Sequence, residues 1–162
     1  MSLRPVTLIV CGEALRGDDA LADAVVRALP ATTRRIAAPR SVGGLMPEDL
    51  LGAVGPVIVV DAVHGLEPGA IVDLPLGELP ELFASGVTPG SSHALPLPMI
   101  LAIVERLAGG LPEGRFIGIA GADFTLGADL SPEVRAAIEP CAARLNHWVR
   151  ALAHGRRAPQ CA

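Results

Sequence analysis

The run Pro5-Val-Thr-Leu-Ile-Val-Cys11 is apolar at nearly every position, with no alternation of wet and dry faces. A strand of that kind must be covered on both sides, which is the condition of a central strand in a mostly parallel sheet. Pro56-Val-Ile-Val-Val-Asp61 repeats the pattern and ends abruptly in a carboxylate, and Arg115 to Gly121 supplies a third such run. Between the first two runs, Leu21, Val25, Val26 and Leu29 recur at helical spacing and Pro30 stops the stripe. Strands alternating with helices over short connections predict an α/β chain, a three-layer α/β/α sandwich around a mostly parallel central sheet of about five strands.

The remaining segments fill out that scheme. A weaker strand is expected around Arg34 to Ala38. Pro47-Glu48-Asp49 opens a short helix through Leu51, with two acids in the first turn. Ala70 to Leu74 reads as an antiparallel strand, and Pro75 to Gly90, rich in Gly and Pro, as irregular surface chain. A helix is expected from about Ser92 to Leu107, ended by Gly109-Gly110. Ser131-Pro132-Glu133 starts the last helix, with Ser as N-cap, reaching about Ala153 and bent or interrupted near Pro140. Residues 1–154 form one domain in this reading, and 155–162 a disordered tail.

Composition narrows the chemistry. With 162 residues the chain can bury roughly 70% of its unfolded surface. All 13 basic residues are Arg, so neither a Schiff-base lysine nor a P-loop lysine exists. The net charge of −4 and the short basic clusters Arg34-Arg35 and Arg156-Arg157 argue against a nucleic-acid partner. No apolar run is long enough for a membrane span or the core of a signal peptide, so a cytoplasmic protein without membrane insertion is expected. Cys11, Cys141 and Cys161 are scattered and fit reduced thiols.

The loop after the first strand invites a nucleotide, since Gly12 and Gly17 carry P-loop spacing. Asp18-Asp19 stands where Lys-Ser/Thr would grip phosphate and magnesium, and two carboxylates repel a triphosphate. Helix capping accounts for Asp18. Asp19 stands out in company with Asp61, at the carboxyl edge where ligands of such sheets bind, and His93, in Pro89-Gly-Ser-Ser-His-Ala-Leu-Pro. Taken one at a time, a strand-end Asp can simply cap a turn and a lone His is more often a surface residue. Together they offer two oxygens and a nitrogen, an incomplete donor set suited to nickel, zinc or iron. His64 is a reserve ligand near Asp61, whereas His147 and His154 read as surface residues.

Taken in order, these pieces resemble the nickel-iron hydrogenase maturation endopeptidases. That family opens on a strand running into Gly-Asn and, some four residues on, Asp-Asp or Asp-Glu; here the stretch is Val10-Cys-Gly-Glu-Ala-Leu-Arg-Gly-Asp-Asp19. Its second acid matches Val57-Ile-Val-Val-Asp61-Ala62, its histidine Ser91-Ser92-His93-Ala-Leu-Pro-Leu97, and its turn into the final helix Gly127 to Val134. The chain departs from the pattern at Glu13, where the family has Asn, at Ala20, where it has Gly, and at Ser41-Val42-Gly43-Gly44, where it has Gly-Thr. The resemblance implies an aspartic-type or metal-dependent endopeptidase acting on the hydrogenase large-subunit precursor. It would remove a C-terminal peptide after nickel insertion. Asp19, Asp61 and His93 would be catalytic and metal-contacting, the nickel would come with the substrate, and Glu13 would add a fourth ligand, through oxygen.

Three other readings stay open on sequence alone. A hydrolase with a resident metal would act on another substrate. A nickel-handling scaffold would keep the fold without cleaving. A serine or cysteine hydrolase would pair Ser92 or Cys11 with His93 and Asp61, although the chain lacks a GxSxG elbow.

Overall fold

A computed structural model describes residues 2–90 and 95–156. Among them, strands β1 (Thr7–Cys11), β2 (Pro39–Val42), β3 (Val57–His64), β4 (Ile71–Pro75), β5 (Thr88–Pro89) and β6 (Gly114–Ala120) make one sheet. Its order is β2-β1-β3-β6-β4, with β5 added to the end of β3. The pairs β1–β2, β1–β3 and β3–β6 are parallel, and β4 and β5 run antiparallel to their neighbours. The expected sandwich is therefore present, with six strands in place of about five.

Alternation along the buried strands assigns the two covering layers. Leu8, Val10, Ile58, Val60, Ala62, Ile117 and Ile119 pack beneath α1 (Leu21–Arg27), α2 (Ala31–Ile36) and α6 (Pro132–Ala153). Ile9, Cys11, Val57, Val59, Val63 and Phe116 pack against α3 (Pro47–Leu51), α4 (Leu79–Ala84) and α5 (Leu97–Ala108). Each fully buried Val, Leu or Ile contributes about 1.5–3 kcal/mol. Two continuous apolar layers on a 162-residue chain thus make the aromatic-poor core sufficient.

Several expectations need correction. Arg34 to Ala38 is not a strand: Arg34 and Arg35 lie in the last turn of α2, whose first turn is tied back to Pro30 by Thr33 N–H and Arg34 N–H. The strand begins later, at Pro39, whose missing N–H is tolerated on the edge strand β2. Pro75 to Gly90 is not irregular throughout. It holds a 3-10 turn (Leu76–Glu78), α4 and β5, because Leu76, Leu79 and Val87 are pulled into the core. The run from Pro56, β3, does not stop at Asp61 but continues paired through Val63. α5 starts at Leu97; the first residues of the expected helix, 92–94, lie outside the described residues, as do 157–162 of the tail. α6 runs as one 22-residue helix through Pro140, capped by the Ser131 hydroxyl.

The antiparallel edge strand is pinned to α6 by polar groups that periodicity could not reveal. Asp73 accepts from Arg115 Nε at 2.8 Å and from Trp148 Nε1 at 3.0 Å, and the Arg115 guanidinium lies 3.8 Å above the Trp148 ring. No helix among the described residues is long and apolar enough to cross a membrane.

Candidate active site

The chain leaves β1 for β2 on one side and reaches β3 on the other, so the carboxyl ends of β1 and β3 form the switch point where α/β sheets bind ligands. The pairing of β1 with β3 ends at Val10 and Val60. Asp61 is the next residue, 1% exposed, with Oδ1 accepting from Ala62 N–H at 2.8 Å. From β1 the chain turns sharply at Gly12, whose φ of +114° favours glycine. A Cβ there would also sit 2.0 Å from the Asp19 carbonyl oxygen. Gly12 therefore lets the loop fold back, and the fold-back brings Asp19 to the end of β1.

Asp19 lies in a 3-10 turn (Gly17–Ala20) and is fully buried. Its Oδ2 accepts from Glu13 N–H at 2.9 Å, while Oδ1 is buried with no hydrogen-bond partner among the described residues. Burial pushes its carboxyl above the ordinary range and the Asp61 charge adds to that rise; the Glu13 amide and the Arg16 guanidinium oppose it. The two carboxylates predicted to converge thus lie close enough to repel. Glu13 leans its carboxylate on Gly43, where a Cβ would come within 2.7 Å of Oε1, and its charge also reaches Asp19.

Asp18 does different work from its neighbour. Its Oδ2 accepts from Ala122 N–H at 2.7 Å, Asp123 N–H at 3.0 Å and the Ser131 hydroxyl at 2.8 Å, and its Oδ1 from Ser131 N–H at 2.7 Å. Capping of its own helix was expected. Instead it ties the loop after β1 to the chain between β6 and α6. Burial raises its carboxyl, but these donors outweigh burial and hold it below the usual carboxylate range.

The histidines separate. His93 lies outside the described residues. His64 stands three residues after Asp61 on β3, on the opposite face by strand alternation, and its ring stacks on Phe124 with centroids 3.9 Å apart. That placement sets its ring against Phe124, away from the face that carries Asp61. His147 is exposed, edge-on to Trp148, and His154 is exposed at the end of α6. Among the described residues no three His, Cys, Asp or Glu side chains are grouped to hold a metal ion. Cys11 is buried beside the carboxylates, and burial followed by the charges of Asp61, Asp49 and Asp19 drives its thiol well above its ordinary range. A thiol so hard to ionise is a poor nucleophile.

Solved structures share this arrangement of strands and helices. The hydrogenase maturating endopeptidase HybD from E. coli superposes with a TM-score of 0.68 at 23% identity, covering 90% of this chain and 92% of its own. The [NiFe] hydrogenase maturation protease HybD from Thermococcus kodakarensis gives 0.65 at 20% identity over 90% and 99%. An endopeptidase from Escherichia coli gives 0.66 at 25% identity over 87% and 89%. No sequence among curated proteins matches significantly. Residues 42–148, a span that includes Asp61 and His93, match the sequence pattern of hydrogenase maturation proteases, and the chain belongs to that family.

Proposed function

We propose that this protein removes the C-terminal peptide of a nickel-iron hydrogenase large-subunit precursor once nickel has been inserted. The nickel belongs to the precursor and acts as the recognition signal, with Asp19, Asp61 and His93 as its contacts on the protease. One observation supports this above all: Asp19 presents a buried carboxylate oxygen without a partner among the described residues, beside a second carboxylate at the switch point. A buried unsatisfied acceptor costs about 1–3 kcal/mol. Two like charges held together add to that cost, and a divalent cation relieves both.

Two carboxylates and an imidazole fill only part of a nickel coordination sphere, leaving positions for ligands that the precursor supplies. Recognition then depends on nickel already being in place, which makes insertion a condition of cleavage. Two routes to cleavage fit this arrangement: a carboxylate positions the attacking water, or the substrate's nickel would polarise the scissile carbonyl.

The test is incubation of the purified protein with nickel-loaded and nickel-free precursor, followed by intact-mass measurement of the large subunit. Loss of the C-terminal extension only from the nickel-loaded form is expected. An extension left intact in both forms refutes the proposal.

A further inference from the structure

The rim of the site carries a feature that bond cleavage does not use, and its reading rests on the proposed function. Leu15 and Leu126 are the most exposed large apolar side chains among the described residues, at 73% and 75%. Burial of a leucine contributes about 1.5–3 kcal/mol, so two left in water are available to a partner.

Their loops are not free to retract. Gly127 N–H donates to the Leu15 carbonyl at 2.7 Å, and Asp18 N–H to the Asp123 carbonyl at 2.8 Å. The Asp18 carboxylate clamps Ala122, Asp123 and Ser131 from the other side. The backbones approach so closely at Gly17 that a Cβ would lie 2.3 Å from the Asp123 carbonyl oxygen. Two loops therefore form one braced shelf, and Leu15 belongs to the same loop as Asp19. Val54 and Leu107, exposed at 67% and 68%, lie at the other end of the sheet, ahead of β3 and at the end of α5.

The charges around the shelf set its partner's character. Glu13, Asp123 and Asp129 are exposed acids, set against the half-buried Arg16 and the exposed Arg135, whose Nε donates to the Leu130 carbonyl at 2.9 Å, which leaves the margin acidic on balance. An apolar shelf with an acidic margin fits a polypeptide segment of apolar side chains accompanied by basic ones. We propose that Leu15 and Leu126 dock such a segment of the precursor, beside the bond to be cleaved, and so act as specificity residues of the protease.

Steady-state processing of the nickel-loaded precursor tests this. The double variant Leu15→Asp/Leu126→Asp is expected to raise KM about tenfold or more with kcat within about twofold, as loss of uniform binding requires. Leu15→Met/Leu126→Met is expected to restore the wild-type KM, and Val54→Asp/Leu107→Asp to leave it unchanged. A double aspartate variant with wild-type KM, or with reduced kcat alone, overturns the shelf while the proposed function stands. A wild-type protein that leaves the precursor intact overturns the proposed function and the shelf with it.

Discussion

Asp18 and Asp19 are consecutive carboxylates that the fold drives in opposite directions. Asp18, with donors at both oxygens, is held below the ordinary carboxylate range; Asp19, with one donor and Asp61 as neighbour, is pushed above it. Adjacent acids with divergent environments carry divergent roles. Asp18 is a brace, and Asp19 is kept under electrostatic tension at the switch point. The two effects are coupled, since the brace helps fix the turn that keeps Asp19 where burial and Asp61 act on it.

Asp19→Asn should separate stability from activity. Because the folded carboxyl is raised above its unfolded value of 3.8, its contribution to stability is fully present below that pH. It declines as pH rises through the folded value, and at neutral pH the ionised group is a burden. The amide keeps an acceptor for Glu13 N–H and removes the repulsion with Asp61. Thermal unfolding at pH 7 should show a gain on the order of 1 kcal/mol, about 2–4 °C in Tm, that vanishes below about pH 4, while precursor processing is lost. A variant with lower Tm at pH 7 than the wild type contradicts the tension on Asp19.

Asp18→Ala should behave in the opposite sense. Four donors lose a charged acceptor, three of them backbone N–H groups. A loss of about 3 kcal/mol is expected, or about 6–12 °C in Tm. The wild-type carboxyl is depressed, so its stabilisation is present above the unfolded value of 3.8 and is lost as pH falls through the folded value. Stability curves of wild type and variant should therefore converge only in acid. A constant gap down to pH 2 would show that charge is not what the donors hold.

Cys11→Ala should keep processing activity, at a stability loss of about 1 kcal/mol for the vacated sulfur volume. In the native wild-type protein the Cys11 thiol should resist iodoacetamide near neutral pH, since burial and three carboxylates oppose the thiolate. Rapid native alkylation of Cys11, read by peptide mass, would reopen cysteine chemistry.

The layer order and the two carboxylates were legible because both follow from local rules. Buried strands advertise themselves as unbroken apolar runs, and an acid at the end of such a run points to the carboxyl edge. What stayed hidden is long-range. The bonds from Asp18 to Ser131, and those of Asp73 on β4 to Arg115 and Trp148, join residues with no periodic relation in sequence. The face of His64 is long-range in the same sense: it is near Asp61 along β3, but three residues of pleat turn the imidazole to the other face. Pro75 to Gly90 misled by its glycines and prolines, whose turn signals outweighed the leucines that bury α4.

Metal analysis distinguishes nickel carried by the substrate from a resident ion. Asp19 and Asp61 repel and, with one imidazole, supply few ligands, so the protein alone should hold metal weakly. Purification without added metal should yield well under one equivalent of nickel, zinc or iron by elemental analysis. Brief dialysis against chelator should leave Tm unchanged, because no folding free energy is linked to a bound ion. A tightly held stoichiometric metal whose removal lowers Tm would favour the resident-metal hydrolase.

The choice of imidazole can be tested without touching the carboxylates. His93→Ala should abolish processing of the nickel-loaded precursor with Tm close to wild type, because its proposed role is contact with the substrate nickel. His64→Ala should cost stability through the lost stack on Phe124, about 0.5–1.5 kcal/mol beyond the buried area, and leave substantial activity. His147→Ala, an exposed position on α6, should be near neutral in both measurements. Processing rates and Tm measured side by side for the three variants give a distinct pattern for each role. A loss in His64→Ala or His147→Ala as severe as in His93→Ala would mean that the nitrogen donor has been assigned to the wrong residue.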